Sequence, residues 1–139
     1  MKLGDQVVSL ELSKKLRELG VKQESLFYWQ YSMTLPPNKN GEFQNWYVNY
    51  GDTSVSNDAL PAYTVAELGA MLPFTIGATA TGQEKEDIWY LGCHKAKEWW
   101  NVEYSNIYSD LFHQTSADTE ADARAKMLIY LLEQGLVKL

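Results

Sequence analysis

A chain of 139 residues that is 45% hydrophobic and 22% charged has the composition of one folded domain, residues 1–139, with length enough for one core. Its formal charge of −6 opposes a phosphate backbone, so a duplex nucleic-acid groove is disfavoured. The single cysteine, Cys93, excludes an internal disulfide framework, and neither a leader-like apolar stretch nor an ~18-residue apolar run is present, so the expectation is a cytoplasmic protein without a membrane span.

The first predicted element is a helix. Val8, Leu12, Leu16 and Leu19 recur at helical spacing and form one apolar stripe. Asp5 and Ser9 are both candidate N-caps, and Gly20 followed by Val21 reads as a Schellman stop. Residues 25–33 (SLFYWQYSM) then read as a strand, and 42–50 as a second. Pro36, Pro37, Asn38, Asn40 and Gly41 make the loop of a long hairpin between them. Residues 51–61 read as a surface loop.

Thr64-Val65-Ala66-Glu67 is a capping box, with Tyr63 and Leu68 at the staple positions, and Pro73 ends the short helix that it opens. Residues 74–81 read as a strand and 82–87 as a charged turn. A hairpin follows in 87–94 and 97–104. Residues 106–115 read either as one helical turn or as a self-packed loop. The last element is a strong helix, capped by Asp118 or Thr119, with a wide apolar face and a stop at Gly135. The order α-β-β-α-β-β-β-α has no βαβ alternation. It predicts an α+β fold: a mostly antiparallel sheet of about five strands with helices packed on one face.

No motif for catalysis or metal binding emerges. Cys93 and His94 are adjacent, so on a strand they face opposite sides and cannot act as a nucleophile pair. Zinc wants four spaced ligands, and only His113 remains to join them. Asp118, Glu120 and Asp122 fan around a helix start, where carboxylates complement the dipole. Glu84, Glu86 and Asp87 surround Lys85 in a turn and read as a solvated cluster. The expectation is therefore no catalytic residue, no metal and no cofactor.

Rings are the surplus: five Trp, nine Tyr and four Phe. Strand alternation puts Phe27, Trp29 and Tyr31 opposite Leu26 and Tyr28, and Trp46, Val48 and Tyr50 opposite Phe43 and Tyr47. Trp99 opposes Trp100, Val102 and Tyr104. Both sheet faces thus carry rings, more than one helical layer hides. Trp29, Trp46, Tyr50, Trp99 and Trp100 are the candidate interaction surface. A homodimer is the commonest use of such a face. The alternative is a small-ligand or single-stranded nucleic-acid binding module that uses exposed rings for stacking.

Residues 9–31, 63–73 and 117–136 together resemble a group of small bacteriophage and prophage proteins of unknown function. The resemblance implies a phage-associated origin and transfers no site residue. The reading is a non-enzymatic accessory protein that acts by protein–protein contact through an aromatic sheet face, with an unidentified protein partner.

Overall fold

The computed structural model of the chain describes residues 2–32, 36–37, 39–42, 45–51, 56–77 and 88–138. Among these lie three α-helices and seven strands, and every strand pairing is antiparallel. The fold is α+β.

Helix α1, Leu10–Glu18, ends as its sequence predicts. Gly20 takes φ +81°, which is open to a residue without Cβ. Val21 N–H then donates to Leu16 O at 3.1 Å and Gly20 N–H to Arg17 O at 3.0 Å, the paired bonds of a Schellman stop. Its N-cap is Ser9, but the serine hydroxyl makes no cap bond. Asp5 instead belongs to a preceding 3-10 turn, Leu3–Asp5.

Strand β1 (Phe27–Tyr31) pairs with β2 (Trp46–Tyr50) on one side and with β3 (Leu60–Pro61) on the other. The predicted hairpin is present, with shorter strands than the sequence suggested. Strand β3 lies in the segment read as loop, because its tail docks on β1 and buries Leu60 and Pro61.

Helix α2, Val65–Met71, starts at the predicted capping box. Glu67 N–H donates to Thr64 Oγ1 at 3.2 Å, and Thr64 N–H donates to Glu67 Oε2 at 2.7 Å. The same carboxylate accepts from Ser25 Oγ and from Leu26 N–H, each at 3.0 Å, so the cap also anchors the entry to β1.

The second sheet has the order β4 (Thr75–Ile76), β5 (Trp89–Lys95), β6 (Trp100–Ser105), β7 (Leu111–Ala117). The expected hairpin is present as β5–β6, but its second strand starts at Trp100 rather than at 97: the connection has four residues, 96–99, closed by Ala96 N–H donating to Trp99 O, which takes Trp99 out of the strand. Strand β7 falls where the pattern suggested a helical turn or loop. A register shift opposite Tyr104 and Ser105 interrupts the two-residue alternation that marks a strand, and Ser109 at φ +65° turns the chain just ahead of it. The single sheet of about five strands is thus two sheets of three and four. Strand β1 has a partner on both sides, and α2 separates β3 from β4 along the chain.

Helix α3, Glu120–Glu133, is capped by Thr119, whose Oγ1 accepts from Asp122 N–H at 3.2 Å. It packs on β6 and β7 and against α1 and α2. Its buried Ala121, Ala125, Met127, Leu128 and Leu131 meet Val102 and Tyr104 of β6, Leu16 of α1 and Leu68 of α2 in one core cluster. Two tyrosines in this core satisfy their hydroxyls on backbone carbonyls. Tyr104 donates to Pro73 O at 2.6 Å, and Tyr63 donates to Lys22 O. Burial pushes both hydroxyls above the ordinary tyrosine range. Met33, Phe43, the end of the strand expected at 74–81, and the 82–87 turn with Glu84, Glu86 and Asp87 lie outside the described residues.

Candidate functional site

A cleft of about 640 Å³ opens where five segments meet. The 3-10 turn supplies Leu3 and Asp5, β1 supplies Phe27, and the start of α2 supplies Val65. The β5–β6 turn contributes Lys95, Lys97 and Glu98, with Trp100 beside it, and the start of α3 contributes Asp118 and Glu120. The volume falls in the range of small-ligand pockets, and an apolar floor with a few charged groups is their usual chemistry.

Two helix starts line the cleft, but neither calls for an anion. Thr64 and Thr119 already accept from the first turns of their own helices. Four carboxylates, Asp5, Glu98, Asp118 and Glu120, face two ammonium groups, Lys95 and Lys97. The lining is net acidic, so it favours a cationic occupant with a flat apolar body against Phe27 and Trp100.

Glu120 is already committed. Its Oε1 accepts from Arg124 Nε at 3.0 Å and Nη2 at 2.7 Å, and from Cys93 Sγ at 3.6 Å. Cys93 therefore points to the α3 side. Burial pushes its thiol up, against the pull of Arg124 in the other direction, so the thiolate is disfavoured at neutral pH. His94 points to the opposite side, where Asn101 Nδ2 lies 3.3 Å from its Nε2, and Ser116 Oγ donates to Asn101 Oδ1 at 2.6 Å. The alternation expected for adjacent strand residues keeps the thiol and imidazole apart. The acidic run divides similarly: Asp122 Oδ1 accepts from Ser9 N–H at 2.7 Å rather than joining Glu120. Among the described residues no group of three His, Cys, Asp or Glu could hold a metal ion.

The predicted aromatic residues are divided between places. Trp29, Trp46 and Tyr50 share one face of the three-stranded sheet. On that face Tyr31 and Trp46 meet edge-on at 5.4 Å, and Phe27 and Tyr50 at 5.8 Å. Trp29 is half-buried and its Nε1 donates to Val8 O at 2.8 Å, and Lys14 of α1 stands 5.5 Å over the Trp46 ring. Tyr31 and Tyr50 remain 48% and 58% exposed. Trp100 walls the cleft, while Trp99 in the β5–β6 turn is 46% exposed. Phe27 joins the two regions, since it belongs to the ring row and to the cleft wall at once.

The expectation that both faces of the sheet carry rings holds less well in the four-stranded sheet. The face turned away from α3 is mostly polar, with Gly92, His94, Asn101, Glu103, Gln114 and Ser116 in register across three strands. Tyr90 sits at its end against Phe74, 6.3 Å away. The cleft residues Lys95, Lys97, Glu98 and Phe27 were not singled out by sequence. Alternation put Phe27 on a ring face, but no periodicity could bring these residues together, because their neighbourhood is made by chain crossings.

Comparison with models of known protein families, with curated proteins and with solved structures found no match to this chain. Among the described residues no helix is long and apolar enough to cross a membrane.

Proposed function

We propose that the protein is a non-enzymatic binding module that holds a protein partner by direct contact. The cleft takes a cationic or aromatic side chain of the partner, and the ring row of β1 and β2 extends the contact. One observation carries the reading: Phe27 meets the half-exposed ring of Tyr50 and also lines a net-acidic cleft walled by Trp100. Aromatic anchors beside a charged rim are the usual make-up of contact hot spots. A cytoplasmic accessory role and the likeness of three stretches to phage-associated proteins fit this reading and rest on the sequence alone.

The test is a fluorescence titration with short peptides that carry Arg or Lys beside an aromatic residue. The expected result is a change in tryptophan emission for these peptides and none for acidic ones. Trp100→Ala is expected to weaken binding at least tenfold, and Glu98→Lys with Asp118→Lys to reverse the charge preference. Equal indifference to basic and acidic peptides overturns the reading. A second reading, a small flat cationic ligand in the same cleft, is favoured by the volume of about 640 Å³. It predicts that a free aromatic amine binds as tightly as any peptide. The acidic lining argues against single-stranded nucleic acid there.

A further inference from the structure

Strand β2 is an outer strand, and among the described residues no strand pairs with its outer edge. Its hydrogen-bond register is set by two flanking bonds: Gly51 N–H donates to Leu26 O at 2.8 Å, and Ser32 N–H to Asn45 O at 2.6 Å. The alternation of antiparallel pairs then turns the backbone groups of Tyr47 and Asn49 towards β1 and those of Trp46, Val48 and Tyr50 outwards. Tyr50 N–H is held by the neighbouring Asn49 Oδ1 at 2.9 Å, which leaves Trp46 and Val48 N–H directed away from the sheet.

The other three edges are each blunted. Strands β3 and β4 are two residues long, and β3 contains Pro61. The β7 edge carries a register shift, and Lys126 Nζ donates to Ser116 O at 2.9 Å. These are the devices by which proteins stop edges from pairing. Strand β2, WYVNY, has none of them: no charge, no proline, no register shift and five residues in plain extension.

We infer that β2 pairs antiparallel with β2 of a second copy of this chain, about a two-fold axis at Val48. The occupant is a second copy because the outward Trp46 and Val48 N–H groups meet the outward carbonyls of Tyr50 of the partner subunit and Val48 of the partner subunit, while Tyr50 N–H keeps its bond to Asn49 Oδ1. With outward groups at positions 46, 48 and 50, an axis at Val48 sets Trp46 opposite Tyr50 of the partner subunit and Val48 opposite Val48 of the partner subunit. The two ring pairs already formed, Tyr31 with Trp46 and Phe27 with Tyr50, then join into files of four rings across the junction. Charge points the same way. Two chains of −6 repel each other over most of their surfaces, and this strand brings no ionised group to the contact. The pairing uses the β2 edge and not the cleft, although it joins the ring row that the partner reading also uses; it stands without that reading, because sizing and edge-amide exchange report it and a peptide titration does not.

Light scattering on a sizing column tests it. The wild-type chain is expected at twice its 15.9 kDa. Val48→Lys and Val48→Glu each put like charges opposite one another across the axis and are expected at the single-chain mass. An equimolar mixture of the two is expected to recover the doubled mass, which only an axis at residue 48 produces. Amide exchange reads the same pairing in the unmutated protein. Protection of Trp46 and Val48 N–H is expected to fall about tenfold or more on dilution through the dissociation range. A wild-type chain that stays at single mass when concentrated, a folded Val48→Lys that stays doubled, a mixture that stays single, or edge amides indifferent to dilution would each overturn the proposal.

Discussion

The two sheets draw on similar residues and come to different ends. The four-stranded sheet lies under α3 and places Val102 and Tyr104 in the core with no exposure, while its other face is a polar lattice of Asn101, His94, Ser116 and Glu103. The three-stranded sheet has no fully buried ring among Phe27, Tyr28, Trp29, Tyr31, Trp46, Tyr47 and Tyr50. One sheet has a helix laid along it. The other is met by one indole bond to Val8, ahead of α1, and by one ammonium of α1, Lys14, over Trp46. Rings that a helix covers are core, and the rings without such cover stay half-exposed or exposed.

The largest test of this contrast is a pair of truncations. Leu128→Ala, in the α3 face of the core, is expected to cost about 3 kcal/mol by denaturant unfolding. Tyr50→Ala, on the exposed row, is expected to cost under about 1 kcal/mol. Equal costs break the division between core and contact rings. Glu67→Ala comes next, at about 2 kcal/mol, because one carboxylate satisfies Thr64 N–H, Leu26 N–H and Ser25 Oγ together. Its loss is expected to loosen the β1 entry in amide exchange as well as the start of α2. Trp29→Phe keeps a ring and removes the bond to Val8 O, for about 1 kcal/mol in the same unfolding assay.

The smallest expected effect is one of pH. His113 stacks on Tyr130 with ring centres 3.5 Å apart, and burial lowers its pKa below the usual 6.5. The unfolded chain therefore binds a proton more readily than the folded one. Stability is whole above about 6.5 and declines as pH falls towards the lower folded value. His113→Gln is expected to flatten that slope in urea titrations at a series of pH values. An unchanged slope would place the acid sensitivity elsewhere.

The legible parts of the fold were the local ones. The Thr64 to Glu67 box, the Gly20 stop and α3 are written in side chains within five residues of one another. The β1–β2 hairpin was legible from alternation, although its strand ends were not. Strand β7 escaped because the shift opposite Tyr104 and Ser105 interrupts its period of two. The division into two sheets escaped because alternation reveals a strand without its partners. The cleft left no signature at all: Leu3, Phe27, Val65, Trp100 and Asp118 come from five separate segments. Of the five predicted contact residues only Trp100 lines it, whereas Phe27, read as an ordinary member of a ring face, is the hinge between row and cleft.

The 2.7 Å bond from Ser9 N–H to Asp122 Oδ1 spans 113 positions of sequence. It makes the opening helix wait for the closing one. As the chain leaves a ribosome, the α2 cap and the β1–β2 hairpin can form early, but Leu16 has no α3 to lie against until Leu128 and Leu131 have emerged. A chain that stops short of α3 lacks the core around Leu128 and Leu131, and its uncharged, ring-rich β2 segment is then expected to be the part most prone to pair with other chains.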